Sequence, residues 1–577
     1  MTSDEGTGRA GRLAAAWTKR LPADIRENAR TVILSLAAGF SAVAFLVLTN
    51  LLFNKTYVVF ASRSRLFFVA ASFLLIMAVS LAAGLLLRTV PEAAGSGIPQ
   101  AKAAFWKDLG WIPARPVVVK FVAGILSIGG GQSLGREGPS VFLGAGVSSN
   151  LAGAMRPPRR DRRGAAIIGA SAGLAAAFNT PLAAITFAVE EVIGDLNSRF
   201  LGRVALASVI GALAVQAVLG RQPSFSLPSV ESASWLHYLI VPVVALLAAL
   251  IGRAFQASTL RLLGRVTRQS RLPRWLLPVF GGFATWVIGV SVFLATGKLG
   301  VFGLGYRDLS SALANSFDWR IAGLLVAAKF VATVASYGCG GCGGIFAPSL
   351  FFGGMAGCFV GGLAGLFLPL TPADRIVLAA VGMSACLGAI VRAPLTSMLI
   401  VFEMTHQFVL VPGLLLGAVV SQAVARRGGP LNFYDALLVM NGHELHKIRP
   451  PLDLQSWKNL PVSAIANLRP VFADDLSPEG LRQLVDRHPY AHFPVVRNGV
   501  LAGLVARKEI LAAAASGAAP AIGPAVKCYP DQTVREIGDK FIGSPSNILV
   551  VVDRSNGTVV GIITLHDLLR AQAAVEC

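Results

Sequence analysis

Two kinds of hydrophobic patterning divide the chain. Up to about residue 425, apolar runs alternate with short polar connections; after about residue 456, short β-branched runs alternate with amphipathic stretches. Residues 31–53 and 66–87 stay apolar long enough to cross a bilayer, which takes roughly 20 residues. Later runs such as 164–178 and 181–189 are shorter, and glycine and proline interrupt them. Broken helices at membrane depth are tolerated only where protein or a cavity covers the freed backbone. The pattern predicts an all-α polytopic membrane domain over 31–440, a linker over 441–455 and a soluble α/β domain over 456–577. A polar, basic tail occupies residues 1–30.

The membrane region repeats itself. Lys120-Phe121-Val122-Ala123 recurs as Lys329-Phe330-Val331-Ala332, and Pro139 through Gly144 recurs as Pro348 through Gly353, both 209 positions later. Gly169 through Ala172, and Pro181-Leu182 through Glu190, recur as Gly382 through Ala385 and Pro394-Leu395 through Glu403, 213 positions later. The halves cover about 31–219 and 237–440. Duplicated membrane domains with broken helices usually hold a substrate site between the halves. Two acids occur in the first copy alone: Phe346 stands opposite Glu137, and Met404 opposite Glu191. Proton-handling transport is the expectation that follows.

Composition sharpens this reading. The 577 residues are 54% hydrophobic and 14% charged, where soluble chains carry about 25% charged residues. The net charge of +21 clusters in three segments read as connections: residues 9–30, 156–163 and 253–274. By the positive-inside rule these lie on the cytoplasmic side, which implies a multi-pass protein of the plasma (inner) membrane with both termini cytoplasmic. No aromatic-interleaved basic face accompanies them, so no nucleic-acid partner is expected. The first apolar run is too long for a signal peptide's core. Cys339 and Cys342 form a lone C-x-x-C in a glycine-rich apolar stretch, read as close backbone packing. His443, Glu444 and His446 share a loop without completing a metal set, so no metal is expected.

Three segments place glycines and a proline where a helix would begin: Gly95-Ser96-Gly97-Ile98-Pro99, Gly135-Arg136-Glu137-Gly138-Pro139 and Gly343-Gly344-Ile345-Phe346-Ala347-Pro348. Proline suits the first turn because its missing N–H would be unpaired there anyway. A helix start leaves free N–H donors at the positive end of the dipole and binds anions without a full cation. Three converging starts would make a partly dehydrated site of modest affinity for a small anion, as exchange or conduction requires.

Together with Tyr434 in Leu431-Asn432-Phe433-Tyr434-Asp435, these turns resemble the CLC family of chloride channels and chloride/proton antiporters. The resemblance covers roughly residues 31–440. It implies two inverted-topology halves, a homodimer with one pathway per subunit, and chloride as bound substrate with no required cofactor. It also implies a central anion held by the Ser96 and Tyr434 hydroxyls and by the backbone N–H groups of Ile345 and Phe346, with Gly138 lining the site. Phe433 competes with Tyr434 for the last aromatic position.

An ionisable residue at membrane depth is a functional candidate by default. Glu137 can place its carboxylate on the same N–H donors that an anion would use, so protonation and anion entry would compete. Adjacent Arg136 makes a poor ion-pair partner because neighbouring side chains on a helix do not face each other. The resemblance makes Glu137 the gate and Glu191 the internal proton-transfer acid, the second acid marking exchangers. Glu190, which has a repeat partner in Glu403, reads as a structural helix-end acceptor. Lys120 and Lys329 sit in apolar runs, and pairing with backbone or acid is expected of both, with an electrostatic role for Lys120 near the anion path.

The tail is duplicated as well. Phe493 through Leu511 matches Ile548 through Leu569, each reading strand, Asn-Gly turn, strand, helix. The pair resembles tandem CBS domains over 456–577. In that family a Thr or Ser and an Asp contact a nucleotide, which implies Thr564 and Asp567 for an adenine nucleotide at the CBS pair; a purely structural tail is the alternative. For the whole chain, secondary active exchange of chloride for protons leads. A passive chloride channel gated by Glu137 and a fluoride exporter of the same family remain open. No nucleophile–base set for an enzyme is found.

Overall fold

The computed structural model describes residues 23–155, 159–194, 200–221, 224–225, 227–228, 230, 233–269, 272–443, 460–497 and 499–575. The chain divides into two compact units at 448/449. The predicted tail before residue 23, Glu444, His446, the residues from 444 to 459 and Asn498 lie outside the described residues.

The first unit is helical throughout. Helix α1 (Ala23–Phe53) continues through a π turn at Asn54–Val58, and α2 (Arg65–Thr89) follows. Then come α3 (Ile98–Trp106), α4 (Ala114–Gly124), α5 (Glu137–Ala154), α6 (Arg159–Phe178), α7 (Pro181–Phe187) and α8 (Leu201–Leu219). The second half runs α9 (His237–Gln269), α10 (Leu277–Thr296), α11 (Tyr306–Leu313), α12 (Trp319–Gly338), α13 (Phe346–Ala364), α14 (Pro372–Val391), α15 (Pro394–Thr405), α16 (Val411–Arg426) and α17 (Phe433–Met440). Among the described residues nine helices are long and apolar enough to cross a membrane. Helix α13, and α14 beyond the Asp374-Arg375 pair of its first turn, are apolar on nearly every side and mostly buried, as a helix at the centre of a bundle must be.

Three boundaries differ from the sequence reading. Arg253–Gln269, read as a connection, is the last half of the 33-residue α9. Arg159–Arg163 opens α6, and Ala23–Arg30 opens α1. The cause is the same in each case. Arginine is a good helix former that loses little rotamer freedom, and helices that cross a membrane can continue past it.

The repeat is built into the hydrogen bonding. Glu403, at the end of α15, accepts from the N–H groups of Leu182 (2.9 Å) and Ala183 (2.7 Å) at the start of α7. Glu190, in the π turn that ends α7 (Ala188–Ile193), accepts from Leu395 (3.2 Å) and Thr396 (2.9 Å) at the start of α15. Donors and acceptors are each 213 positions apart, so the two contacts are one contact seen twice. Each helix end caps the other helix start, which requires α7 and α15 to run antiparallel. Gly135 and Gly344, 209 apart, likewise exchange both backbone hydrogen bonds, at 2.7 and 2.6 Å. Reciprocal contact between equivalent residues places a pseudo-two-fold axis between the halves, the relation expected of inverted-topology repeats. The structural role read for Glu190 is thereby explained: a carboxylate at a helix start satisfies donors that have no intrahelical partner.

Lys120 and Lys329 obey the same symmetry. Lys120 Nζ donates to Gly95 O (2.9 Å) and Ala94 O (3.4 Å), and Lys329 Nζ donates to Gly300, Val301 and Gly303 carbonyls (2.8, 3.3 and 2.9 Å). Both lysines are buried and donate to backbone carbonyls, and Lys329 also lies within electrostatic reach of Asp308.

The second unit holds two hairpin–helix modules. Strands β1 (His492–Arg497) and β2 (Val500–Ala506) pair antiparallel and lead into α20 (Arg507–Ser516); a short α18 (Val462–Ile465) and α19 (Pro478–Arg487) precede them. In the other module β3 (Lys527–Cys528) pairs parallel with β4 (Ile548–Val552), which pairs antiparallel with β5 (Val559–Thr564). Helix α21 (Val534–Ile542) lies between β3 and β4 in sequence, and α22 (Leu565–Val575) follows β5. Gly499 and Gly557 both take positive φ at the hairpin turns, and each hairpin carries an irregularity at the same place, Val495/Val496 and Val551/Val552.

Candidate functional site

All three glycine-rich turns open helices with proline in the first turn. Their N-caps are Gly97 for α3, Arg136 for α5 and Ile345 for α13, and none is capped by its own side chain. Uncapped starts leave N–H donors for something else.

The starts converge. The Gly135–Gly344 exchange ties the beginning of α5 to that of α13. Gly138, in the first turn of α5, lies against Ser96: a Cβ there would come within 2.1 Å of Ser96 Oγ, so only glycine permits the approach. Helix α17 brings in Tyr434, whose ring stacks on Phe346 with centroids 6.4 Å apart. Phe433 packs instead against Tyr337 and Phe255 and carries no hydroxyl. Ser96 is 1% exposed and Tyr434 fully buried; the two hydroxyls lie near each other, and neither makes a hydrogen bond of ordinary length to any described residue. An unpaired buried polar group costs about 1–3 kcal/mol. Two such donors, set beside the N–H groups of Ile345 and Phe346 at the start of α13, form a cradle that a small anion would satisfy.

Glu137 is the first residue of α5 and fully buried. One carboxylate oxygen accepts from Tyr306 Oη at 2.8 Å, the other from the Ala347 N–H at 3.3 Å. The carboxylate thus occupies the start of α13, next to the cradle. Arg136 is engaged elsewhere: its Nη1 donates to Asn50 Oδ1 at 2.9 Å, and its guanidinium lies over the Tyr306 ring at 5.6 Å. A cavity of about 510 Å³, lined by Asn50, Asn54, Arg136, Tyr306, Arg307 and Asp308 among others, adjoins this point.

Glu191 is 2% exposed. Its Oε1 accepts from Lys102 Nζ at 2.8 Å, and its Oε2 from Asn432 Nδ2 at 2.8 Å. Lys102 also reaches Asp435 Oδ1 at 2.7 Å. The cluster joins α3, which begins beside Ser96, to α17, which carries Tyr434. Lys102, Asn432, Asp435 and Tyr306 escaped the sequence reading. A lysine in the short apolar run Ile98–Trp106 was the available signal for the first; nothing in the sequence marks Tyr306.

Among the remaining candidates, Thr564 and Asp567 bond to each other. Thr564 Oγ1 and its N–H both donate to Asp567 Oδ2, at 2.7 and 2.8 Å, closing a cap on α22. Cys342 Sγ lies 3.3 Å from Ala93 O in a buried contact between segments. His443 Nδ1 lies 3.1 Å from Lys107 Nζ.

The sequence profile described as "Voltage gated chloride channel" matches residues 78–426, more than half of the chain. The protein belongs to the voltage-gated chloride channel family. The CBS domain profile matches 522–574, which contains the second hairpin–helix module. Relatives in the family include the "H(+)/Cl(-) exchange transporter ClcA" of Vibrio campbellii, 30% identical over 61% of this chain and 75% of the relative. The "Putative chloride channel protein ClcB-like" of Ralstonia nicotianae is 30% identical over 59% of this chain and 79% of the relative. Among solved structures, a slow cyanobacterial Cl-/H+ antiporter has a TM-score of 0.64 at 24% identity, covering 72% of this chain and 97% of that one. A eukaryotic CLC transporter has a TM-score of 0.58 at 19% identity, covering 93% and 98%. At these identities the solved structures show that the family fold is shared.

Proposed function

We propose that the protein exchanges chloride, or a similar small anion, for protons across a membrane. The carrying observation is the pair of unpartnered buried hydroxyls, Ser96 and Tyr434, set beside the uncapped start of α13, with the Glu137 carboxylate seated on that same helix start. Ser96, Tyr434 and the N–H groups of Ile345 and Phe346 hold the anion, and Gly138 keeps Ser96 in place. Glu137 competes with the anion while ionised and withdraws when protonated. Glu191 passes the proton on the other side of the site, and its burial supports that role, since a carboxyl can carry a proton where water is excluded. The relatives named as H(+)/Cl(-) exchange transporters favour exchange over passive conduction and over fluoride export.

The same reading makes the protein a homodimer with one pathway in each subunit, in the plasma (inner) membrane with cytoplasmic termini, and makes 456–577 a tandem CBS pair. For Thr564 and Asp567, the closed cap on α22 supports a structural role ahead of contact with an adenine nucleotide.

The test is Glu137→Gln in proteoliposomes, with anion flux and pH followed together. The substitution mimics the neutral acid, so anion flux should persist without pH dependence while uphill proton movement stops. Chloride-driven proton pumping that survives in this variant would refute the reading.

A further inference from the structure

We infer that Tyr306 is a latch on the gate carboxylate: its hydroxyl holds ionised Glu137 at the start of α13 and sets the pH at which the pathway opens. This rests on the exchange reading, within which it adds a positioning residue that the anion cradle does not contain.

The geometry is specific. Tyr306 is the first residue of α11, after Gly305 at φ 78°, and belongs to the second half of the chain. Its hydroxyl donates to Glu137 Oε1 at 2.8 Å, while Oε2 takes the Ala347 N–H. Two donors from different helices therefore fix both carboxylate oxygens. The ring is clamped by Phe225, edge-on at 5.3 Å, and by the Arg136 guanidinium at 5.6 Å. Tyr306 and Arg136 both line the 510 Å³ cavity, so Tyr306 stands where that cavity meets the gate.

A phenol fits both protonation states. It donates to a carboxylate and can accept from a carboxylic acid. The two bonds differ in strength, a charge-assisted bond being roughly twice as strong as a neutral one. Tyr306 therefore favours the seated, ionised gate over the protonated one that must leave. The other charged and titratable groups that act on the carboxylate are Arg136 at the start of α5 and Tyr434 on α17, while Arg307 and Asp308 of α11 line the adjoining cavity; the start of α13 contributes only backbone. Replacing Tyr306 by phenylalanine keeps the ring between Phe225 and Arg136 and removes the donor alone.

Chloride flux is measured against pH in proteoliposomes for the wild type, Tyr306→Phe, Glu137→Gln and the double variant. Tyr306→Phe should move the midpoint of flux activation to higher pH by about 0.7 unit, roughly a fivefold change in the protonation equilibrium. Its chloride-to-proton ratio should stay that of the wild type, and in the Glu137→Gln background it should change nothing further. An unmoved midpoint, or one displaced to lower pH, overturns the latch. So does an equal change in flux with and without Glu137, which would make Tyr306 a packing residue. If Glu137→Gln is uncoupled but Tyr306→Phe is silent, only the latch fails; if Glu137→Gln still pumps protons, the exchange reading fails and the latch with it.

Discussion

Replacing Lys102 by methionine tests the cluster around Glu191. The side-chain volumes are similar, so packing along α3 survives and the charge is the main loss. Lys102 and Glu191 are 1% and 2% exposed, and their atoms are 2.8 Å apart. Removing one partner of a buried pair costs about 3–5 kcal/mol, because the other charge is left uncompensated. Two features place this case at the low end. Asn432 keeps one Glu191 oxygen hydrogen-bonded, and Asp435, at 31% exposed, regains water when it loses Lys102. The expected cost is therefore about 3 kcal/mol. Glu191→Gln in the same background removes the charge that Lys102 faced, so the double variant should recover about 2 kcal/mol relative to the sum of the single costs. Reversible unfolding in mixed detergent micelles measures all four proteins, with chloride flux in proteoliposomes as the check on folding. A Lys102→Met protein within about 0.5 kcal/mol of the wild type, or strictly additive costs, would refute the claim that Lys102 neutralises Glu191.

The reciprocal caps give a symmetry test. Glu190→Gln and Glu403→Gln each exchange a carboxylate for a neutral amide on two N–H donors, and Glu190 also accepts from the Thr396 hydroxyl at 2.7 Å, which Ala183 cannot offer Glu403. Glu403→Gln should lose about 2 kcal/mol in the same unfolding assay and Glu190→Gln about 1 kcal/mol more, and a larger loss for Glu403→Gln would refute this account of the caps. In the C-terminal unit, Asp567→Ala should cost about 1 kcal/mol by opening the cap on α22. Faster amide exchange over 565–575 in the full-length protein is the expected readout, and unchanged exchange would refute the cap.

Much of this protein is legible in its sequence. Apolar runs of bilayer length, broken by glycine and proline, identify the membrane unit, because lipid leaves the backbone few alternatives to helix. The offsets of 209 and 213 expose the duplication, and the prolines of the three glycine-rich turns mark helix starts through local rules alone. The same offsets single out Glu137 and Glu191, since a fold that manages with Phe346 and Met404 in one half does not need acids in the other. What the sequence misread was also local: arginine runs look like loops, although arginine extends a helix readily, as α6 and α9 do.

Partners were decided by tertiary structure. A glutamate's role depends on which donors lie around it. Glu190 and Glu191 are neighbours in sequence, yet the first caps a helix of the opposite half while the second meets Lys102 from α3 and Asn432 beside α17. Tyr306 reaches Glu137 from 169 residues away. The sequence favours Tyr434 with Phe433 as its competitor, and the packing turns the phenylalanine to Phe255 and leaves the tyrosine hydroxyl without a partner among the described residues. Hydrophobic period and helix punctuation act over a few residues and can be read from the chain. Hydrogen bonds between distant segments depend on how the two halves close on each other, and that is settled only when they fold.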